Sequence, residues 1–416
     1  MSETLVGTLR GLRGNARGAI ITEPLWGIPF NLFAPYASVY MLALGLRDSQ
    51  VGMVTSVAMA GQVVMALLAG VIIDKMGRKR ATLVFDILAW SIPCLLWACA
   101  QDIRWFIAAG LVNSLRKVPD ISWNCLLVED SDPEDLMHIY ALSFIAGQMS
   151  VFFAPVAGVL ITHFTLVPSV RGMYVLACVM MTTKFIVLNG MVSETRQGAV
   201  RMAETRGRSV VSLLGEYRGV LRQIRSAPHT LLTIALMVVV SIVTVVQGTF
   251  WSIIVTERIH IPAGHIALYP FARSLIMLGF LFLVVPRLRG VCFGRPMMLA
   301  FAGYAVSQIV LINVPERGYG WLLLSTVLEA GCYSVVATQV ERLAVVNVDA
   351  RERARIVAMA HLTVIACTTP FGWVAGMLSQ SNRALPFVLN AVLLTVGIWV
   401  VRRLRSTEGP QATPAA

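Results

Sequence analysis

Several ionisable residues interrupt long apolar stretches of this 416-residue chain. Arg116, Lys117 and Asp120 lie close together in one stretch, whereas Arg273 and Glu329 stand singly in two later stretches. A charge in an apolar environment is costly unless it is paired, so these residues are candidates for ligand binding or proton transfer. Arg116 and Asp120 are four residues apart and would share a helical face, which favours an ion pair between them. A purely structural ion pair is the alternative.

A short basic turn between two apolar stretches supplies a second group of candidates. Residues 70–80 read Gly-Val-Ile-Ile-Asp-Lys-Met-Gly-Arg-Lys-Arg. A tight turn needs a residue that adopts positive φ, and Gly77 supplies one. The candidate residues of this turn are Gly70, Asp74, Gly77, Arg78 and Lys79.

The loop of residues 129–135 is acidic and begins with Glu129 and Asp130. It contains no Lys or Arg. An acidic cluster and a basic cluster on one face of a membrane could hold two helices together through ion pairs. A solvated acidic loop is the alternative.

The composition indicates which elements must position these residues. The chain is 57% hydrophobic and 13% charged, against about 25% charged residues in a soluble domain. Because a membrane helix needs about 20 apolar residues, twelve spans are predicted. In chain order, spans 1 to 12 are residues 26–46, 51–73, 81–101, 104–128, 139–163, 172–192, 229–252, 265–286, 296–314, 319–341, 355–379 and 384–402. The sequence therefore predicts an all-α membrane protein with twelve transmembrane helices.

The distribution of charge argues against a nucleic-acid partner despite the net charge of +12. Of the 34 Lys and Arg residues, 24 fall in alternate loops and the termini, six in the opposite loops and four inside spans. This bias predicts that both termini are cytoplasmic. The seven cysteines form no disulfide or metal pattern. With no nucleophile elbow, phosphate-binding loop or zinc signature, the sequence predicts no enzyme, cofactor or metal site.

The two halves of the chain look like a degenerate repeat. Gly77 corresponds to Gly294, Glu129 to Glu341 and Pro155 to Pro370, at offsets of 217, 212 and 215 residues. Equivalent positions with nearly one offset indicate duplication of a six-helix unit.

The same offsets relate candidate binding residues of the two halves. Lys117 corresponds to Glu329, and Asn31 corresponds to Gln247. The first pair could exchange partners across a cavity, with Arg116 as the alternative to Lys117. The two amides could bind a polar ligand or, equally, form hydrogen bonds between helices.

The spacing Gly-x-x-x-Asp-Lys-x-Gly-Arg-Lys at residues 70–79 resembles the loop between the second and third helices of the major facilitator superfamily, with Lys75 where the family usually has Arg. The resemblance covers roughly residues 24–403 and implies two pseudo-symmetric six-helix bundles around a cavity lined mainly by spans 1, 4, 7 and 10. It also implies a cytoplasmic gate in which Asp74 and Arg78 act with Glu129 or Asp130 and with the start of span 11. Arg116 matches the arginine of the family's span-4 signature, but the glycine of that signature is missing.

The predicted domains are a cytoplasmic N-terminal segment, the two bundles, a cytoplasmic linker and a cytoplasmic tail. They are residues 1–23, 24–192, 193–228, 229–403 and 404–416. Residues 5–20 could form an interfacial amphipathic helix or a frayed basic tail. Lys184 lies in span 6, which the resemblance places at the periphery, so we expect it to snorkel towards the membrane surface.

These features favour a secondary transporter in the plasma membrane that moves a small organic solute by alternating access. Proton-coupled export is the first expectation. Uptake of an anionic solute is the alternative, because Arg116, Lys117 and Arg273 outnumber the acids deep in the spans. A non-transporting sensor on the same fold is a further alternative. The expected partners are the solute, protons and the lipid bilayer, and the expected state is a monomer.

Overall fold

The computed structural model describes residues 12, 14–132, 134–207, 228–283, 294–346 and 353–407. Within this part of the chain, nine helices are long and apolar enough to cross a membrane. They are Asp48–Met76, Arg78–Ala98, His138–Phe164, Leu166–Met191, His229–Glu257, Gly294–Ile312, Tyr319–Leu343, Ala358–Ser381 and Leu385–Leu404. These helices correspond to all predicted spans except 1, 4 and 8.

The three remaining spans are helical, but each is interrupted or incompletely described. Span 1 consists of helices Gly14–Thr22, Pro24–Phe33 and Ala37–Ala43 with a 3₁₀ turn at Ala34–Tyr36. Proline removes a backbone donor, and the prolines of this stretch account for the breaks. Span 4 consists of helices Ile103–Asn113 and Lys117–Val128 around the 3₁₀ turn Ser114–Arg116. Span 8 is helical over Leu268–Leu283, and its expected end lies outside the described residues.

Helical structure of span 1 begins at Gly14, about two and a half turns before Glu23, rather than at residue 26. Leu12, Ala16 and Ile20 are buried in a core cluster with residues of spans 4, 5 and 6. Gly18 fits tightly there, because a Cβ at this position would lie 3.2 Å from Met191 and from Val192. The segment from Leu12 onwards is therefore neither an interfacial helix nor a frayed tail. Residues 1–11 lie outside the described part.

Spans 3 and 5 each contain an irregularity. Span 3 runs as helix Arg78–Asp86, a π-helical turn at Ile87–Ser91 and helix Ile92–Ala98. Span 5 is divided into Leu136–Val151 and Ala154–Phe164, with Pro155 in the first turn of the second helix. The remaining helices are Leu166–Met191, Arg196–Glu204, Pro228–Glu257, Gly294–Ile312, Tyr319–Val346, Arg353–Ser381 and Leu385–Thr407.

The chain divides into two compact units. Unit 1 comprises Met1–Glu216 and Pro262–Phe271, and unit 2 comprises Tyr217–Ile261 and Ala272–Ala416. The core of unit 2 is one large apolar cluster drawn from spans 7, 9, 10, 11 and 12. Fully buried aromatic side chains such as Phe301 and Tyr304 contribute much of its contact area.

The first part of the predicted linker is a short helix, Arg196–Glu204. Thr195 caps it by accepting a hydrogen bond from the Gly198 amide at 2.9 Å. The helix that we expect after Ser209 lies outside the described residues, as does the tail from residue 408.

Candidate functional site

An ion network joins the basic turn of residues 70–80 to the acidic loop after span 4. Arg78 Nη1 lies 3.1 Å from Asp74 Oδ1, and Arg78 Nε lies 3.3 Å from a carboxylate oxygen of Glu129. The Arg78 side chain is only 7% exposed, so water screens these pairs less than it screens surface ion pairs. We call Asp74, Arg78 and Glu129 the Arg78 network.

The linker adds two further contacts to the acids of this network. Arg201 Nη2 lies 2.9 Å from Asp74 Oδ2, and Thr195 Oγ1 donates a hydrogen bond of 2.5 Å to Glu129. The hydrogen bond to Asp74 raises the pKa of Arg201 above its ordinary value, so this guanidinium stays charged. Both acids of the network are therefore held by the linker as well as by Arg78.

Glu194 caps the first turn of span 3. Its carboxylate accepts hydrogen bonds from the backbone amides of Arg78 and Lys79 at 2.8 and 3.0 Å. These are two of the amides that have no partner within a helix. Sequence reasoning missed Glu194, Thr195 and Arg201. The only indication in the sequence was that these residues are polar, follow span 6 and lie on the side of the membrane predicted for the basic turn.

Gly77 is required by this geometry, and we expect Gly77→Ala to destabilise the protein. Its φ is 83°, and a Cβ would lie 2.5 Å from Glu194 Oε2. With ψ at 161°, this is a backbone conformation that essentially only glycine adopts; it costs an L-residue about 1–3 kcal/mol, and displacement of Glu194 adds to that cost. Thermal melting in detergent should show a clear decrease. Gly147→Ala is the matched control, because nothing lies within 4 Å of a Cβ there. An equal melting temperature for Gly77→Ala and wild type would contradict this account.

The alternatives for the acid of the network are resolved in favour of Glu129. Asp130 accepts hydrogen bonds from the Arg196 amide at 3.2 Å and from Asn15 Nδ2 at 3.5 Å. It therefore connects the linker and the start of span 1. Gly70 lies one turn before Asp74 in helix Asp48–Met76. A contact of Asp74 with the amides that open span 11 stays a prediction.

The charges of span 4 form the predicted intrahelical cluster. Lys117 Nζ lies 3.4 Å from Asp120 Oδ2, and Arg116 Nη1 lies 3.9 Å from the same oxygen. Arg116 Nη2 also donates to Gln62 Oε1 at 3.2 Å. Among the described residues, the buried Nε of Arg116 has no hydrogen-bond partner. The pair of Arg116 and Asp120 is present, but Lys117 is the closer partner.

Lys184 does not snorkel. Its Nζ lies 2.9 Å from Glu23 Oε2, and the residue is 5% exposed. The ammonium also lies 5.9 Å from the ring centroid of Trp26 and 5.5 Å from that of Trp123. The expectation failed because Glu23 was placed outside span 1, where it could not be recognised as a partner inside the bundle.

Arg273 and Glu329 form a bidentate ion pair in unit 2. Arg273 Nε and Nη2 donate to the two carboxylate oxygens of Glu329 at 2.8 and 3.1 Å. The guanidinium lies over the Tyr333 ring at 5.1 Å, and Tyr304 packs edge-on against that ring. The Glu329 side chain is 4% exposed, whereas that of Arg273 is 36% exposed. The cation is therefore the accessible member of a pair whose acid is buried.

Each member of the pair that the repeat suggested has a partner within its own unit. Glu329 pairs with Arg273 and Lys117 with Asp120, and an exchange between Lys117 and Glu329, which belong to different units, stays a prediction. Sequence offsets identify equivalent positions in two helices. They do not specify which neighbouring helix offers the nearest cation.

The two candidate amides differ in their surroundings. Asn31 Nδ2 donates to the Gly27 carbonyl of its own helix at 2.8 Å. Gln247 Oε1 is buried and has no hydrogen-bond partner among the described residues. An orphaned buried carbonyl favours Gln247 over Asn31 as a candidate ligand contact.

A bundle of membrane helices with buried ion pairs and a charged turn after its second span defines a polytopic membrane protein. The chain belongs to the Major Facilitator Superfamily, a family of membrane transporters whose model matches residues 25–359. No curated protein matches the sequence.

Solved structures share this fold. The nucleoside transporter NupG aligns with a TM-score of 0.71 at 13% identity, covering 96% of this chain and 100% of that chain. A bacterial homologue of the iron transporter ferroportin, in an inward-facing state, gives 0.73 at 11% identity, covering 94% and 98%. A POT family transporter in complex with 5-aminolevulinic acid gives 0.71 at 14% identity, covering 97% of both chains.

Proposed function

We propose that the chain is a proton-coupled secondary transporter that moves a small organic solute across the plasma membrane by alternating access. The observation that carries this proposal is the buried Arg273–Glu329 pair. A buried ion pair is often no more stabilising than apolar side chains of similar size, so its presence inside the helices points to function. The sequence has no phosphate-binding loop, which leaves an ion or solute gradient as the driving force.

Protonation of Glu329 is the proposed coupling step. A neutral carboxyl group no longer attracts the guanidinium, so Arg273 is left charged and seeks another partner. The two protonation states therefore favour different arrangements of spans 8 and 10. A ligand or proton shifts a conformational equilibrium only through such a difference in free energy.

Export in exchange for protons is the first mode that we propose. A single carboxylate can hold either a proton or a cationic group of a solute. Competition between the two at Glu329 produces exchange, in which a proton enters as the solute leaves.

Uptake of an anionic solute is the second candidate, and the exposure of Arg273 favours it. The guanidinium is 36% exposed while its partner is 4% exposed, so an anionic group has access to the cation alone. Protonation of Glu329 would release Arg273 to that group, and the proton and the anion would move together. Lys184 adds nothing to the excess of deep cations that first suggested an anion, because Glu23 pairs with it inside unit 1.

A ligand screen followed by flux measurements tests the proposal. Purified protein is melted in the presence of organic anions, amines and neutral solutes at an acidic and an alkaline pH. The stabilising solute is then followed into proteoliposomes under an imposed pH gradient. Uphill movement in either direction supports a transporter. A solute that binds but never crosses the membrane would identify a sensor instead.

The charge bias predicts the orientation, with the linker and both termini in the cytoplasm. Single cysteines at Ser212 and at Asn382, in a chain without its native cysteines, should react with a membrane-impermeant probe from opposite sides. In intact cells, only the cysteine at Asn382 should be labelled. Labelling of both from outside would refute this orientation.

A further inference from the structure

Unit 1 contains a layer of charged side chains that are not part of the Arg273–Glu329 pair. Glu23, Asp86, Asp120 and Lys184 each lie eight or nine residues, about 12–13 Å along a helix, from the end that carries the Arg78 network. Arg116 and Lys117 lie one turn deeper. We call these six residues the charged layer.

Asp86 is the member of the charged layer without a direct partner. Glu23 is paired with Lys184 at 2.9 Å, and Asp120 with Lys117 at 3.4 Å. Asp86 is 7% exposed and, within the described part of the chain, forms neither a hydrogen bond nor an ion pair. It interacts with Lys184 only through longer-range electrostatics. A buried carboxylate in this position is costly when charged, which favours uptake of a proton.

A narrow cleft reaches Asp86, and it has no room for a water molecule in this structure. Lys79, Thr82, Asp86 and Asn189 supply its polar lining. The first three recur at three- and four-residue intervals and so share one face of helix Arg78–Asp86. The cleft therefore leads from the end of span 3 that carries the Arg78 network to the buried carboxylate. The π-helical turn Ile87–Ser91 begins immediately after Asp86, and such turns are frequent at functional sites.

We propose that Asp86 is a second proton-binding site, at the inner end of this cleft and on the side of the Arg78 network; its role in transport rests on the proposed function. The proton adds to a carboxylate oxygen of Asp86 and gives a neutral carboxyl group, with no other bond made or broken. The charged groups around Asp86 are Lys79 on its own helix, Asp120 on span 4, Lys184 on span 6 and Glu23 on span 1.

The consequence is a change in the charge of the layer. With Asp86 ionised, the three acids of the charged layer balance its three cations. With Asp86 protonated, the layer has one cation in excess. Lys184 is then attracted by Glu23 but no longer by Asp86. Arg116 and Lys117 are partly exposed, so the excess positive charge favours an anionic group beside them.

Direct measurement of proton binding tests this inference without a solute or a gradient. Purified protein in weakly buffered detergent solution is shifted from alkaline to acidic pH, and the protons bound are counted with a pH-sensitive dye. Asp86→Asn should bind about one proton per chain fewer than wild type, because its amide does not titrate. Glu134→Gln, an exposed acid of the acidic loop, is the control for removing any carboxylate. Its proton-uptake curve should still contain the step that Asp86→Asn loses.

Lys184→Met supplies the second variant. Loss of the ammonium leaves Glu23 and Asp86 without a cation, so proton uptake should move to more alkaline pH. Equal uptake by wild type and Asp86→Asn at every pH would overturn the inference. Because no transport is measured, that outcome would leave the proposed function standing. A failure of solute flux would likewise leave the proton-binding result intact.

Discussion

Proton-driven accumulation of the solute is expected to be lost when Glu329 is replaced by glutamine. The glutamine amide cannot bind and release a proton, so the imposed pH gradient no longer biases the movement of spans 8 and 10. The solute should then only equilibrate, with an inside-to-outside ratio of about one, because the coupling free energy is gone. Exchange of labelled for unlabelled solute should persist, since it requires no net proton movement. The measurement is uptake into proteoliposomes with and without a pH gradient.

A double variant separates coupling from stability. Glu329→Gln leaves Arg273 without a counter-charge; breaking a fully buried pair costs about 3–5 kcal/mol, and the 36% exposure of Arg273 reduces that cost. Combining it with Arg273→Gln removes both charges and should restore much of the lost melting temperature. If the double variant regained full uphill transport as well as stability, the pair would be purely structural. We expect stability to return while accumulation remains absent.

The second large effect is expected for Arg78→Gln. This change leaves Asp74 and Glu129 without their shared cation at the end of span 3. The expected destabilisation is on the order of 3 kcal/mol, reduced from the fully buried case because the two carboxylates are partly exposed. Transport should fall strongly even in the fraction that folds, because an ion pair no longer joins the turn to the end of span 4. Thermal melting and initial rates of flux, normalised to folded protein, measure the two effects.

Matched variants sharpen this prediction. Arg80→Gln removes an exposed cation from the same turn and should change neither melting nor flux. Asp74→Asn removes the acid that contacts both Arg78 and Arg201, and its effect should lie between those of the two arginine variants. An ion pair on a fully exposed surface would contribute little to stability. Partial burial and two cationic partners now predict a measurable loss of stability. An Arg78→Gln protein with wild-type melting and flux would rule out a structural role for the network.

The pairs that sequence reasoning recovered are local or carried by a motif. Arg116 and Asp120 are four residues apart, so the geometry of one helix brings them together. Arg78 and Glu129 are distant in sequence, and the family resemblance supplied the acid only as Glu129 or Asp130. A short segment was enough to predict the first contact, whereas the second needed the family resemblance.

The pairs that it missed depend on which helices are neighbours and how each is rotated. Glu329 lies in span 10, and its partner Arg273 lies in span 8. No periodicity within either span indicates that these two side chains meet. Glu23 was excluded because glycines and Arg17 lower the hydropathy at the start of span 1. Once the span is extended towards Gly14, Glu23 lies inside the bundle and its contact with Lys184 becomes intelligible. The linker contacts of Arg201 and Thr195 were invisible for a related reason, since a short polar helix gives no sign of what it packs against.

Breaks in the helices were only partly foreseen. Pro119 was expected to kink span 4, and the helix is interrupted slightly earlier, at the 3₁₀ turn Ser114–Arg116. The π-helical turn after Asp86 has no comparable signal, because a single extra residue in a helical turn leaves the apolar pattern nearly unchanged. The charged layer was therefore not recognisable as a unit before the positions of spans 1, 3, 4 and 6 were known.

Solute-driven proton movement is the most direct test of the central claim, that Glu329 couples solute transport to protons. Proteoliposomes are loaded with a pH-sensitive dye, and a gradient of the stabilising solute is imposed with no initial pH difference. Wild-type protein should change the internal pH, and the sign of the change distinguishes exchange from co-transport. Glu329→Gln should leave the internal pH constant while the labelled solute still exchanges. An unchanged internal pH with wild-type protein during solute flux, or an undiminished change with Glu329→Gln, would contradict the account.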